Sequence, residues 1–195
     1  MAADAPLPKA VVFDLDYTLW PYWVDTHIDP PLKRRNDALN EVVDRSGVKL
    51  AFFRDVPSIL LELKDRGVHV AAASRTAAPS VARQALRELM IDQGDTVHTR
   101  PPRQTGRASE RKNVTKAINL FDQLEIYPGS KVAHFSNISK ASGVEYRDMI
   151  FFDDEHRNAE VERKLGVHFV LVGNQGLDRA TFDRGIAEWR KKRGH

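Results

Sequence analysis

The sequence predicts an α/β protein with a mostly parallel sheet and helices on both of its faces. Short apolar segments rich in β-branched residues have the length and composition of buried strands. Segments with the apolar periodicity of helices alternate with them, which is the pattern of a parallel sheet. Polar residues that can take part in catalysis lie at the carboxyl ends of three of these strands. The predicted strands cover residues 9–14, 68–73, 148–152 and 167–172.

The other predicted elements are helices, a flap and a hairpin. Asp55 is an N-cap candidate, and Gly67 ends the helix that it begins. Residues 18–31 are rich in aromatic residues and proline, so we expect a loop or flap without helix. Residues 42–50 resemble a short hairpin around a glycine turn. Further helices are predicted over residues 79–90, 114–124, 131–142, 158–165 and 178–192.

The composition is that of one soluble domain, which we expect to span residues 1–195. Apolar residues make up 42% of the chain and charged residues 29%, which are ordinary values for a globular protein. No apolar segment is long enough to cross a bilayer, and the N-terminus lacks the pattern of a signal peptide. The absence of cysteine excludes disulfides and thiolate metal sites. We therefore expect a cytoplasmic monomer without a membrane partner.

The basic residues are concentrated in two segments, residues 100–112 and 190–193, although the net charge is only +3. Such clusters can bind nucleic acid or an acidic surface. Because no aromatic residues lie among them, we do not expect a nucleic-acid partner. Residues 92–112 are also rich in Pro and Gly and lack periodicity, which predicts a flexible surface insertion whose role the sequence leaves open.

The first predicted strand ends in two acids, Asp14 and Asp16. If the strand geometry continues, both side chains project the same way. Two neighbouring carboxylates repel each other, and a hard divalent cation bound through oxygen relieves the repulsion. A carboxylate beside such a cation is a competent nucleophile toward phosphorus, and a second acid can transfer protons. The alternative is a strand that simply runs into an acidic turn.

Three further features along the chain favour a catalytic site. Ser74 follows the second predicted strand, where a hydroxyl can bind a phosphoryl oxygen or merely form a turn. Lys131 begins a predicted helix, where its charge can offset the repulsion between two anions. Asp153 and Asp154 follow the third predicted strand, and we expect Asp154 to bind metal and Asp153 to face Ser74, Lys131 or water, although the reverse stays open.

Aromatic and basic residues also lie near these motifs. Trp20 is expected to pack the flap onto the core, and Trp23 to contact substrate at the edge of the site. Arg75 could bind phosphate through its guanidinium group or could be solvated. Among the histidines, only His27 is expected near the site.

Taken in order, these residues resemble the four motifs of the haloacid dehalogenase (HAD) superfamily. The matching strings are Asp14-Leu15-Asp16-Tyr17-Thr18, Ser74-Arg75-Thr76, Lys131 and Asp153-Asp154. Three longer strings resemble more narrowly the magnesium-dependent phosphatase-1 type, a capless acid phosphatase family. They run from Phe13 to Pro21, from Tyr127 to Lys131 and from Phe151 to Glu155. The resemblance implies a Rossmann-like core.

The resemblance also implies roles for individual residues. Asp14 would form a phospho-aspartyl intermediate, and Asp16 would be the second catalytic residue. Mg²⁺ would be bound by Asp14, by the backbone carbonyl of Asp16 and by Asp154, with Asp153 as the other candidate ligand. The substrate-binding residues would be Leu15, Asp16, Trp23, Ser74, Arg75 and Lys131.

The acid at position 16 and the lack of room for a cap domain restrict the activities and substrates that we expect. Dehalogenases of this superfamily lack the second acid, so Asp16 favours a phosphatase or phosphotransferase. Caps follow the first motif or separate the second from the third, but residues 18–57 and 79–128 leave no room for a full cap. An open site implies a phosphoprotein, such as one carrying phosphotyrosine, or a small ester such as a sugar phosphate as substrate.

Three other functions stay open at this stage. A phosphotransferase or mutase would use the same residues with an acceptor other than water. A phosphate-receiving signalling domain also has acids, a hydroxyl and a lysine on a parallel sheet, but its phosphorylated Asp comes in the middle of the chain. A non-catalytic binding module would use the basic insertion, whereas the four filled motif positions favour an enzyme.

Overall fold

A computed structural model describes residues 5–35, 37–95 and 113–194. Its central sheet is built from five strands: β1 (Ala10–Phe13), β4 (His69–Ser74), β7 (Gln123–Ile126), β8 (Met149–Asp153) and β9 (His168–Leu171). All five are parallel and lie in the order β7-β4-β1-β8-β9. This sheet confirms the predicted fold class. In the part of the chain described, no helix is both long and apolar enough to cross a membrane.

Helices cover both faces of the sheet. Because side chains alternate along a strand, β1 directs Val11 and Phe13 to one apolar cluster and Val12 to another. The first cluster includes residues of α2 (Val56–Asp65), α3 (Pro79–Glu88) and α6 (Arg179–Arg193). The second includes residues of α4 (Lys131–Ser142) and α5 (Glu160–Leu165). The core is therefore divided into two layers by the sheet.

The strand register brings the polar strand ends together. Phe13 of β1 lies opposite Ala72 of β4 and Phe152 of β8. Three central strands consequently end at nearly the same level. The residues that follow them, including Asp14, come to one edge of the sheet, where parallel sheets bind ligands.

The predicted helix over residues 114–124 is wrong. In its place are strand β6 (Val114–Lys116), a 3₁₀ helix (Ala117–Leu120) and the beginning of β7. Strand β6 pairs antiparallel with β5 (Met90–Asp92), and β7 pairs with β4 at the edge of the main sheet. Ala117 and Leu120, the first and last residues of this 3₁₀ helix, are both buried and lie three positions apart, which resembles the spacing of apolar residues on one face of an α-helix. Backbone pairing with neighbouring strands overrides this local pattern.

The same region changes two other predicted boundaries. Helix α3 ends at Glu88 rather than at residue 90, because Met90 begins β5. Of the predicted insertion over residues 92–112, Asp92 belongs to β5 and Gln93–Asp95 form a 3₁₀ helix. Residues 96–112, on which the rest of that prediction falls, lie outside the described residues.

The flap over residues 18–31 contains one turn of helix, α1 (Val24–His27). The prediction that prolines exclude helix here is therefore wrong. Pro21 precedes this turn and Pro30 follows it, so neither ring interrupts its hydrogen bonds.

The predicted hairpin is confirmed as β2 (Val42–Val43) paired antiparallel with β3 (Lys49–Leu50). Among the described residues, α1 and this hairpin are the only regular elements between β1 and α2. Between α3 and β7, those residues form only the β5–β6 pair and two 3₁₀ helices. Neither segment forms a full cap over the sheet edge within the described ranges.

Candidate active site

The carboxyl ends of β1, β4 and β8 border an open pocket of about 240 Å³. Predicted site residues that line it are Asp14, Asp16, Trp23, Ser74, Arg75, Lys131 and Asp154. Two predicted residues do not line it, because Leu15 is buried in the apolar core and Asp153 is buried behind Lys131. A larger depression of about 570 Å³ around Leu7 and Arg66, at the opposite edge of the sheet, contains none of them.

Lys131 is a buried cation at the start of α4, which Ser130 caps through its hydroxyl. Its Nζ donates to Asp14 Oδ1 at 2.5 Å and to the carbonyl of Ala73, and it lies 3.0 Å from Asp153 Oδ2. Burial lowers the pKa of Lys131, but the two carboxylates outweigh burial and raise the pKa above its usual value. Lys131 therefore stays charged and holds Asp14 in place.

Asp14 faces the pocket directly after β1. Its backbone N–H donates to the carbonyl of Phe152 at 2.9 Å, which aligns it with the end of β8. Burial raises the pKa of Asp14 well above its usual range; Lys131 opposes this shift, whereas Asp153 and Asp16 reinforce it. Ionised Asp14 therefore depends on nearby positive charge.

Asp16 reaches the same pocket by a turn, so the strand alternation predicted for the two acids does not apply. Strand β1 ends at Phe13, and Tyr17 has a positive φ of 53°. Asp16 Oδ1 accepts a hydrogen bond from Trp20 Nε1 at 2.8 Å, and Oδ2 accepts one from Val24 N–H at 3.4 Å. Burial raises the pKa of Asp16 to about 7 despite these bonds. A carboxyl group with that pKa can donate and accept protons near neutral pH.

The loop after β4 supplies a hydroxyl and a guanidinium group. Ser74 is buried, and its Oγ accepts a hydrogen bond from Thr76 N–H at 3.3 Å. Arg75 is exposed, and its Nη1 donates to Asn158 Oδ1 at 3.3 Å. Both side chains border the pocket, but only that of Arg75 is exposed to solvent.

The flap forms one side of the pocket. Trp23 is 48% exposed, stacks on His27 with ring centroids 5.7 Å apart, and contacts Tyr17 edge to face. Asp25 Oδ2 accepts a hydrogen bond from Ala77 N–H at 3.0 Å, which ties the flap to the loop after β4. Trp23 therefore presents a supported aromatic surface at the pocket, and His27 lies beside it.

The two acids at the end of β8 have different surroundings. Asp153 Oδ1 accepts from Glu155 N–H at 2.7 Å, and Oδ2 faces Lys131. Asp154 lines the pocket, where Thr18 Oγ1 donates to its Oδ1 at 3.5 Å. Burial, and then the charge of Asp153, raise the pKa of Asp154 to about 6. Asp153 is thus turned toward Lys131 and Asp154 toward the pocket, while the metal-binding role of each stays a prediction.

The pocket offers the oxygen donors that suit a hard divalent cation. Burial raises the pKa values of Asp14, Asp16 and Asp154, and a cation bound among them would oppose this shift by favouring the ionised forms. Within the described ranges, no three His, Asp or Glu side chains form a complete metal cage. Mg²⁺ commonly uses one or two carboxylates and keeps several waters. The residues therefore fit a magnesium site with few protein ligands.

The sequence interpretation did not assign a role to several residues around the pocket. They are Asp25, Thr76, Glu155 and Arg157, which line it, and Asn158, which is buried beside Asp153. Each lies within four residues of a predicted site residue. That proximity to a strand end or to the flap is the signal that could have identified them.

A parallel sheet that brings two acids, a hydroxyl, a buried lysine and an acid pair to one edge defines a HAD-like hydrolase. A solved HAD-superfamily hydrolase from Ehrlichia chaffeensis has a similar fold, with a TM-score of 0.55 and 13% identity, covering 95% of this chain and 99% of that chain. The family model described as acid phosphatase matches residues 6–192, so the chain belongs to the acid phosphatase family. The resemblance inferred from the motifs is confirmed.

Two curated relatives are similar over most of their length. A HAD-like hydrolase superfamily protein of Schizosaccharomyces pombe is 41% identical over 170 residues, covering 87% of this chain and 88% of the relative. Human magnesium-dependent phosphatase 1 is 38% identical over 187 residues, covering 96% of this chain and 90% of the relative. The similarity therefore extends well beyond the four motifs.

Proposed function

We propose that this chain is a magnesium-dependent phosphomonoesterase in which Asp14 is the nucleophile. The observation that carries the proposal is the buried Lys131 ammonium bonded to Asp14, with the Asp16 carboxyl group at the same pocket. The name of the human relative, magnesium-dependent phosphatase 1, supports the assignment.

The proposed reaction has two steps that use the same pair of acids. In the first, a carboxylate oxygen of Asp14 bonds to phosphorus, the bond to the leaving oxygen breaks, and protonated Asp16 gives that oxygen its proton. In the second, ionised Asp16 takes a proton from water, the water oxygen bonds to phosphorus, and Asp14 leaves as a carboxylate. A pKa of about 7 allows Asp16 to perform both transfers near neutral pH.

Lys131 and Ser74 stabilise the transferring phosphoryl group in this proposal. The Lys131 ammonium offsets the repulsion between anionic Asp14 and the anionic ester. Because Ser74 Oγ accepts its hydrogen bond from Thr76 N–H, the hydroxyl hydrogen is available to a phosphoryl oxygen. Both groups are fixed before substrate arrives, so little reorganisation is needed.

Mg²⁺ would be held by the carboxylates of Asp14 and Asp154 and by the backbone carbonyl of Asp16. When bound, it supplies positive charge to the phosphoryl oxygens and to the buried acids. Asp153 is not required as a ligand here, since both of its oxygens accept hydrogen bonds and one also faces Lys131.

The open pocket favours substrates that extend into solvent. Trp23 is placed to stack on an aromatic or sugar ring, and Arg75 is placed to contact an anionic group. Two acids, Asp25 and Glu155, balance the charges of Arg75 and Arg157 around the opening. We therefore propose phosphotyrosine-type groups on proteins, or small esters such as sugar phosphates, as substrates.

Hydrolysis of p-nitrophenyl phosphate by the purified protein tests the proposal. Release should require Mg²⁺, should stop in EDTA and should return with excess Mg²⁺. Asp14→Asn should fold with a similar thermal midpoint and lose turnover, because the amide is a poor nucleophile. Turnover of Asp14→Asn at the wild-type rate would refute Asp14 as the nucleophile.

A phosphotransferase or mutase remains the second candidate, because an open pocket admits acceptors other than water. Hydrolysis assays in the presence of alcohols or sugars should yield inorganic phosphate as the main product if water is the acceptor. Phosphorylated acceptor as the main product would favour the second candidate.

A further inference from the structure

Asn158 is a buried amide in the 3₁₀ helix His156–Ala159, and only 2% of the residue is exposed. Its Nδ2 lies 2.9 Å from each carboxylate oxygen of Asp153 and 3.2 Å from Glu155 Oε2. Its Oδ1 accepts from Arg75 Nη1 at 3.3 Å. Because acids surround the amide nitrogen and a guanidinium group faces the oxygen, the partners fix the orientation of the amide.

The amide nitrogen of Asn158 is connected to Asp14, the proposed nucleophile, through Asp153 and Lys131. Asp153 receives hydrogen bonds from Asn158 on both oxygens, and its Oδ2 also faces Lys131 at 3.0 Å. Lys131 in turn bonds to Asp14. Without the bonds from Asn158, only Glu155 N–H and Lys131 would orient the Asp153 carboxylate, so Lys131 would have a less tightly fixed partner.

The amide oxygen of Asn158 contacts Arg75, which lies at the opening of the pocket. Arg75 is exposed, and long exposed side chains lose considerable rotamer entropy when they bind a ligand. The hydrogen bond to Asn158 Oδ1 restricts Arg75 before substrate arrives. A restricted side chain loses less entropy on binding, so the contact favours substrate affinity.

We propose that Asn158 is a positioning residue that serves both parts of the site, fixing Asp153 and thereby Lys131 on one side and Arg75 on the other. The inference rests on the proposed phosphatase function for its kinetic effects. Asn158 touches neither substrate nor metal in this account. It acts through Lys131, which affects kcat, and through Arg75, which affects KM.

Substitutions at position 158 can separate the two effects. Asn158→Asp keeps an acceptor for Arg75 but, once its carboxyl group is ionised, has no donor for Asp153, so kcat measured at about pH 9 should fall about 10- to 100-fold with little change in KM. Arg75→Ala should raise KM about 3- to 10-fold with little change in kcat. Asn158→Ala should do both, because it removes both contacts. Asn119→Ala, at an exposed asparagine outside the pocket, is the matched control and should behave as wild type.

The double variant Arg75→Ala/Asn158→Ala tests whether the two residues act together on KM. Since Asn158 affects KM only through Arg75, the KM of the double variant should equal that of Arg75→Ala alone. If the KM of the double variant instead rises by the product of the two single-variant factors, the link between Asn158 and Arg75 is contradicted. Wild-type kcat in Asn158→Asp would contradict the link to Asp153, and a kcat loss explained by the unfolded fraction would show a merely structural role. If Asn158→Asp does not fold, the kcat and KM of Asn158→Ala and of the double variant still test both links.

A crystal structure of Asn158→Ala tests positioning independently of the proposed function. The Asp153 carboxylate should rotate, Lys131 Nζ should move away from it, and Arg75 should be displaced from its present place. Unchanged positions of all three side chains would overturn the inference even if the protein is a phosphatase. If the side chains are displaced but the wild-type protein has no phosphatase activity, the positioning role of Asn158 is supported and the proposed function is rejected.

Discussion

The inner and outer parts of the pocket are built differently. The inner part, Asp14, Lys131 and Asp153, is buried and comes from strand ends and a helix start. The outer part, Trp23 and Arg75, is exposed and comes from the flap and a loop. Breaking a buried ion pair leaves an uncompensated charge, whereas an exposed contact is easily replaced by water. We therefore expect the inner part to determine rate and stability, and the outer part to determine the choice of substrate.

The largest expected effect is at the inner part. Lys131→Met leaves Asp14 and Asp153 buried without their cation, so the free energy of unfolding should fall by about 3–5 kcal/mol. Turnover should fall about 10²- to 10³-fold, because the charge that offsets the phosphoryl anion is lost. Urea unfolding and p-nitrophenyl phosphate hydrolysis measure the two effects.

Lys140→Met is the matched control, since Lys140 lies on the same helix but is exposed. It should change unfolding and turnover little. A Lys131→Met variant as stable and active as Lys140→Met would contradict the distinction between the two parts.

A smaller effect is expected on the pH dependence of stability. In the folded protein the pKa values of Asp16 and Asp154 are raised to about 7 and about 6, whereas the usual value is 3.8. Between about pH 4 and 7 these two acids therefore bind more protons in the folded state than in the unfolded state, and their contribution to stability falls as pH rises. The thermal midpoint of metal-free protein should be lower at pH 8 than at pH 5 by at least about 2–4 °C.

Magnesium should reverse this loss, because it favours the ionised acids in the folded state only. Addition of Mg²⁺ at pH 8 should raise the thermal midpoint, and Asp154→Asn should diminish the rise. Equal midpoints at pH 5 and pH 8, or no response to Mg²⁺ at pH 8, would speak against the carboxylate site.

The smallest effect is expected at the outer part. Trp23→Ala should raise KM for p-nitrophenyl phosphate about 3- to 10-fold by loss of ring stacking, with kcat nearly unchanged. An aliphatic ester such as glycerol phosphate should show little change in KM, because it has no ring. Equal losses for both esters, or a large loss of kcat, would show that Trp23 does more than select the leaving group.

The sequence predicted the part of the fold that depends on continuous apolar segments. Strands β1, β4, β8 and β9 are such segments, and their parallel arrangement places Asp14, Ser74 and Asp154 around one pocket. Strand β7 was not predicted: its four residues alternate polar and apolar as in a half-buried strand, but the segment is short and its first two residues fell within the predicted helix over residues 114–124.

Local sequence patterns do not predict contacts between residues that are far apart in the chain. The sequence left open whether Asp153 faces Ser74, Lys131 or water, and only the packing of α4 against the end of β8 brings Lys131 to it. Asn158 lies 83 positions from Arg75 and was predicted only as the start of a helix. The single domain, the monomeric state and the cytoplasmic location stay predictions.

Trapping the phosphorylated protein tests the central claim most directly. Wild-type protein would be mixed with p-nitrophenyl phosphate and Mg²⁺, quenched in acid within one turnover, digested and analysed by mass spectrometry. The account predicts one phosphoryl group on the peptide that contains Asp14, located at Asp14 by fragmentation and absent in Asp14→Asn. A burst of product with no phosphorylated peptide, or with the phosphoryl group on another residue, would contradict it.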